Sequence, residues 1–318
     1  MRSSPAPRGA VRLLPLLDVA LLAVAIALGL LMPEYLAFGT RVLVMILFVL
    51  SLDLVLGYAG IPTLGHAAMY GVGAYAAGIF AIRVSADPLL GLAVAAVAGA
   101  VVAWLSGLLL LRTNRLTLVM LSIAVVQILQ EIANKAGKIT GGADGLDGIV
   151  MAPVLGRFEF DFYGYTAFFY ALGVLAIFFL LLKRFVASPF GLAAQGIREQ
   201  RTRMEAIGVP VFQRLIVMYT IAGAIAGIAG GLTAQTTQFV SLESLSFSVS
   251  AEAVIMLILG GAGRLYGAIL GTCLYMLVHH VASGIAPTNW LFVIGALVIA
   301  VVFTAPKGLL SLVRSAQR

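Results

Sequence analysis

Charge is scarce in this sequence. Only 10% of the 318 residues are Asp, Glu, Lys or Arg, against about 25% in ordinary globular domains, while 62% are hydrophobic. That balance excludes a soluble enzyme and leaves an integral membrane protein. There is a single cysteine, Cys273. It lies within an apolar stretch, so no intrachain disulfide is possible and the chain carries no redox information. No Walker-type G-x-x-x-x-G-K-S/T occurs, so if ATP drives this protein another chain must bind it. Of the three histidines, His279 and His280 are adjacent. They point to different faces of a helix and make a poor metal pair. We find no constellation for nucleophilic, metal or acid–base catalysis, and no segment between apolar stretches long enough to bury a soluble core.

What is present is a series of apolar blocks. A spanning helix needs about 20 mostly apolar residues. Ten such blocks occur, at roughly 13–32, 41–56, 66–82, 89–111, 116–132, 165–183, 214–234, 250–260, 265–284 and 289–305. The expected fold is an all-α polytopic membrane protein, one transmembrane domain over 1–318, with about ten spanning or partly spanning helices. The block at 250–260 is short, so it is half a span or an interrupted one. The first block is long for a signal-peptide core and lacks an A-x-A-like cleavage site, which favours a retained span.

Net charge is +7, but position decides its meaning. With the N-terminus inside, the outer segments hold only Arg41, Arg83, Lys135, Lys138 and Arg157, and the other fifteen of the twenty Lys and Arg fall inside. Such a bias sets orientation, placing both termini in the cytoplasm. The basic excess reports topology, and nucleic-acid binding is not expected.

Two loops are long. The outer one, about 133–164, contains KITGGADGLDGI, with Asp144 and Asp147 among four glycines. Its composition is turn-rich. It lacks the alternating oxygen ligands and closing Glu of a calcium loop, and reads as an ordered turn facing a partner or as a solvated loop. The inner one, about 185–213, contains REQRTRMEAIGVP. Its charges Arg198, Glu199, Arg201, Arg203 and Glu205 would cost about 2.5–3.5 kcal/mol each at membrane depth, so it does not span. Ser188 before Pro189 predicts a helix start. Glu199 and Arg203 stand four apart in the favourable order, and Gly208 with Pro210 ends the segment. The spacing predicts one or two short helices with an apolar stripe through Ala193, Ile197, Met204 and Ile207, resting on lipid headgroups or docking another protein.

Glycine, with 35 copies, carries most of the remaining information. Gly223, Gly227 and Gly231 stand four apart, as do Gly263, Gly267 and Gly271, a spacing that lets membrane helices pack closely. GYAGIPTLGHAAMYGVGAY, residues 57–75, places Gly57, Tyr58, Gly60, Pro62 and Gly65 between two apolar blocks with too few residues for an ordinary loop. Irregular backbone at membrane depth survives only inside protein or beside a wet cavity, and transporters place substrate paths there. ILGGAGRLYG repeats the idea with Gly260, Gly261 and Gly263. His66 reads as a capping or backbone-bonded histidine or, with no second titratable group beside it, less simply as a proton relay. Asp53 is an intramembrane carboxylate, hence a functional candidate, or a group near the inner surface that reaches water.

In these motifs the sequence resembles the LivM-type permeases of branched-chain amino acid ABC importers. The likeness runs in order through TGGADGLDGI, FGLAAQGIREQRTRMEAIGV, LGGAGRLYGAILG and APKGL, across about residues 41–310. It implies that the inner segment is the coupling helix, with Glu205, Ala206 and Gly208 carrying its motif and Arg198, Arg201 and Arg203 facing or flanking an ATP-binding subunit. It further implies a multi-pass protein of the bacterial inner membrane beside a paralogous LivH-type permease. Two ATP-binding subunits would hold ATP and Mg, and an extracytoplasmic binding protein would capture a small amino acid; this chain would hold no cofactor. Asp53 departs from the family, where a neutral polar residue such as Asn is expected, and Ile61-Pro62-Thr63 is an unusual filling of the glycine motif. Related permeases carry urea or short amides. An ion-coupled secondary transporter using Asp53 and His66 is a further alternative.

Overall fold

The structure, a computed structural model, describes residues 10–154, 156–161, 164–285 and 290–304. The APKGL motif and the terminal basic residues Arg2, Arg8, Lys307, Arg314 and Arg318 lie outside them.

Thirteen helices, with no named strand among the described residues, follow one another along the chain. They are α1 (Ala10–Leu31), α2 (Leu36–Leu52), α3 (Ala67–Arg83), α4 (Pro88–Leu110), α5 (Arg115–Lys135), the single turn α6 (Gly137–Thr140), α7 (Tyr165–Ala187), α8 (Pro189–Glu199), α9 (Arg201–Ala206), α10 (Val211–Thr237), α11 (Phe247–Gly260), α12 (Leu265–Ile285) and α13 (Trp290–Thr304). Each of the ten apolar blocks is a helix. Six stretches are long and apolar enough to cross a membrane: Pro33–Tyr58, which contains α2, and α4, α5, α7, α10 and α12. Shorter apolar stretches lie in α1, α3, α11 and α13. The ambiguous eighth block is α11. Its 14 residues rise about 21 Å, short of a 30 Å hydrocarbon core.

The most buried spans are α2 and α10. Helix α10 packs against α4, α3 and α2, and its glycines explain how. Gly223 and Gly227 meet the backbone of Gly99 on α4, and Gly227 also meets Gly73 on α3. Between helices in lipid the gain comes from backbone packing, and small residues permit it. The second glycine series divides. Gly267 and Gly271 pack on Gly260 of α11, as a seam should. Gly263 precedes α12 with φ of +82°, so it belongs to the turn and not to the helix face.

Helix ends pair as an up-and-down chain requires. At one end Asp18 of α1, Lys183 of α7 and Tyr266 of α12 form a cluster: Lys183 is ion-paired with Asp18, its Nζ donates to Tyr266 Oη at 3.2 Å, and the Tyr266 hydroxyl donates to Asp18. At the other end Leu146 and Val240 form an antiparallel bridge. The outer loop is built over 141–154 as a series of turns packed on the bundle. Gly141, Gly142, Gly145 and Gly148 all have positive φ, and Leu146, Ile149, Met151 and Val154 are buried, while Asp144 and Asp147 remain exposed. Among the described residues no three His, Cys, Asp or Glu could hold a metal ion.

Candidate functional site

Helix α2 does not end cleanly. Over Asp53–Tyr58 it widens into a π turn: the amide of Ala59 donates five residues back to Leu54 at 3.0 Å, and that of Ile61 six back to Val55 at 2.9 Å. Gly60, with φ of +70°, then lets the chain leave the helix, and residues 60–66 run irregularly to α3. Most of this segment is buried, so its amides need partners within the protein. Ser122 Oγ of α5 accepts from Leu64 N–H at 3.1 Å, Thr63 Oγ1 from Gly65 N–H at 3.1 Å, and Ser250 Oγ of α11 from Ala67 N–H at 2.8 Å. Those serines were not singled out in the sequence. Their signal is faint, because a Ser in an apolar block ordinarily bonds its own helix backbone.

The second broken element reaches the first. After α11 the chain turns through Gly261 and Gly263, both with positive φ, and enters α12. Asp53 Oδ1 accepts from Gly263 N–H at 2.6 Å. The carboxylate thereby serves the amides ahead of a 21-residue helix, where anionic groups are favoured. Of the two readings of Asp53, exposure to water is excluded, since the residue has 0% accessibility. Its Oδ2 has no hydrogen-bond partner. Gly57 sits against both Asp53 and Gly263 so closely that any Cβ would overlap them, and Tyr58 is buried in the same turn. Asp53, Gly57, Tyr58, Gly60 and Gly263 thus form one knot. Gly261 borders it, Gly260 lies in the α11–α12 seam, and Gly65 lies against Ser122.

His66 stands apart from the knot. It begins α3 without a side-chain cap, contrary to the capping or backbone-bonded reading. Its Nε2 instead pairs with Ser51 Oγ at 2.8 Å, and its ring stacks on Phe48 with centroids 5.4 Å apart. Ser51 already donates to Phe48 O at 2.6 Å, so its oxygen is left to accept and Nε2 carries the proton. The buried Nδ1 is without a partner.

The charged segment is two helices, α8 and α9. Ser188 starts α8 as expected, its Oγ accepting from Gly191 N–H at 3.3 Å behind Pro189. Gln200 is extended, with φ of −155° and ψ of 89°. The break there puts Glu199 and Arg203 on different helices, so the expected pair is replaced by Arg201 with Glu205 on α9, 2.9 Å apart and half-exposed. The apolar stripe holds at Ile197, which is buried, and at partly buried Met204, and fails at exposed Ile207. Gly208, with φ of +85°, closes the segment.

Arg198 crosses between these parts. Its stem lies over Gly60, where a Cβ would stand 2.7 Å from Arg198 Cγ, and its Nη1 donates to the Gly57 carbonyl. Beside it is a cleft of about 80 Å³ lined by Gly60, Pro62, Arg115, Arg198, Arg201 and Leu215 among others. Ordinary small-molecule pockets start at about 300 Å³, so this cleft is a seam between α8 and the broken segment.

Comparison with known proteins identifies relatives of this chain. The chain is 26% identical over 298 residues to the high-affinity branched-chain amino acid transport system permease protein LivM of Salmonella typhimurium, covering 87% of this chain and 70% of that protein. The same figures hold for LivM of Escherichia coli. It is 23% identical over 312 residues to a probable LivM of Methanocaldococcus jannaschii, covering 82% and 88%. No solved structure matches significantly. The family described as branched-chain amino acid transport system, permease component, matches residues 35–302, and this chain belongs to it.

Proposed function

We propose that this chain is the transmembrane permease subunit of an ATP-driven importer for branched-chain or related small amino acids, in the bacterial inner membrane. The excess of Lys and Arg at the α8 end favours placing that end in the cytoplasm. Partner subunits bind and hydrolyse ATP with Mg. A LivH-type permease sits beside this chain, and an extracytoplasmic binding protein delivers substrate. Family membership supports the substrate class.

The observation that carries the mechanism is the seating of α8 and α9. One face of the pair is held on the broken segments through Arg198 and Ile197, while Arg201, Arg203 and Glu205 stand outward. A helix pair tied at both ends to spans and presenting charge to an ATPase passes closure of that ATPase to the bundle as a rigid-body shift. Arg201, Arg203, Glu205, Ala206 and Gly208 form the docking face. The pathway runs beside Asp53, Gly57, Gly60, Gly65, His66 and the Gly260–Gly263 turn.

The test is co-purification of the complex with its ATPases and measurement of amino-acid-stimulated ATP hydrolysis in proteoliposomes containing the binding protein. Glu205→Arg is expected to leave the permease folded, because an exposed ion pair contributes at most about 1 kcal/mol, and to abolish ATPase recruitment or stimulation. Normal coupling in this variant would make α9 a surface helix. Uptake that collapses with the proton gradient and needs no ATPase would favour a secondary transporter, and stimulation by urea or short amides alone would shift the substrate class.

A further inference from the structure

From sequence, Arg198 groups with Arg201 and Arg203 as a residue facing or flanking an ATPase. In the structure Arg198 remains an exposed residue, but its guanidinium reaches inward. Its stem passes over Gly60 and its guanidinium sits between the Gly57 carbonyl and Gly263, where a Cβ would lie 2.7 Å from Nη1. One side chain therefore lies against two glycines, at Gly60 and Gly263, and it touches both broken elements. Gly57 and Asp53 stand four residues apart on one widened turn. The Asp53 Oδ2 beside them is buried and has no hydrogen-bond partner.

We propose that Arg198 is the positioning residue that ties α8 to both broken segments, with two seats on the α2 turn: the Gly57 carbonyl, occupied here, and Asp53 Oδ2. This rests on the reading of α8 and α9 as the coupling segment. A buried carboxylate oxygen without a donor is costly. A guanidinium that slides between the two acceptors as α8 moves keeps a charge-assisted bond in either position. Motion of α8 then carries the α2 turn and the α11–α12 turn together, since Asp53 also holds Gly263. The task suits arginine. Its planar fork of five N–H groups serves two acceptors, whereas a lysine offers a point charge. It also explains an acid at position 53, since Asn would hold Gly263 equally well and give the guanidinium no opposite charge.

The experiment uses the whole complex, with ATPases and binding protein, in proteoliposomes, and reads amino acid moved per ATP hydrolysed. In Arg198→Ala this ratio is expected to fall about tenfold, a typical size for a coupling energy. Arg198→Lys should recover little of it. Asp53→Asn, which keeps an acceptor for Gly263 N–H, should lower the ratio in the same direction, and the double variant should be no worse than Arg198→Ala, because both remove one interaction. A wild-type ratio in Arg198→Ala, or additive losses in the double variant, overturns the proposal while the importer reading stands. Should Arg198→Ala fail to assemble, Asp53→Asn decides alone: a reduced ratio supports the second seat and an unchanged one refutes it. A wild-type complex that moves no amino acid with ATP removes the importer reading, and this proposal with it.

Discussion

At the scale of single residues, the knot is built from what glycine leaves out. Gly57 has no room for a Cβ between Asp53 and Gly263, whereas Gly173 on α7 has nothing within 4 Å. Gly57→Ala is therefore expected to destabilise the protein by about 1–3 kcal/mol, the usual cost of overpacking, and to lower its thermal midpoint in detergent. Gly173→Ala should raise stability by a few tenths to about 1 kcal/mol, since the helix gains propensity and nothing is displaced. Equal effects would mean that the close approach at Gly57 is absent. Asp18 teaches a similar lesson. A lone acid in the first apolar block looks like an isolated cost, yet it closes a cluster with Lys183 and Tyr266, and only the partners make that legible.

At the scale of elements, the starts at Tyr165 and Pro189 agree with the sequence reading, and both are capped from within a few residues. Ser188-Pro189 announces α8 from its own residues. The start of α7 is served from outside by Asp161, whose carboxylate accepts from Thr166 N–H at 2.9 Å and Tyr165 N–H at 3.2 Å. Its slight burial pushes the carboxyl upward, but these backbone hydrogen bonds outweigh it and hold the group below its ordinary value of 3.8. A carboxyl lowered by folding stabilises the protein above its unfolded value and loses that contribution as pH falls through the folded one. Asp161→Ala is expected to cost only about 0.5 kcal/mol near neutral pH, the low end for a helix cap, because the exposed carboxylate is screened by solvent. The gap to wild type should close as pH drops below about 4; a gap that persists in acid would show that the contact is not ionic. The break at Gln200 is the opposite case. Residues 198–205 carry a good helical charge pattern, and it is the turn between α8 and α9 that replaces Glu199–Arg203 with Arg201–Glu205.

For the whole molecule, the alternation of helix ends puts the 133–164 loop and the α8–α9 pair on opposite sides. With Cys273→Ser as background, Asp144→Cys is expected to react with a membrane-impermeant thiol reagent in intact spheroplasts, and Arg203→Cys only after the membrane is opened. The reverse pattern would invert the molecule and place the docking face for ATPases outside. Apolar side chains exposed along α1, α5, α12 and α13 fit a bundle whose periphery meets lipid or another span, while α2 and α10 form its centre.

Composition and block length determined that this chain is a helical membrane bundle, because unpaired backbone in lipid leaves only helices or closed barrels, and most of the apolar blocks are too long for the roughly 10-residue strands of a barrel. They also determined where its spans lie, and the order of motifs pointed to its family. Contacts between residues far apart in sequence had to come from the tertiary structure. Asp53 and Gly263 are separated by 210 residues and Gly57 and Arg198 by 141, and nothing in the local pattern of either partner names the other. The same is true of Ser122 and Ser250, whose hydroxyls find the amides of the broken segment only once α5 and α11 have packed beside it. A hydrophobic period records which face of a helix is buried, whereas the polar bonds that join broken elements depend on where whole helices come to rest.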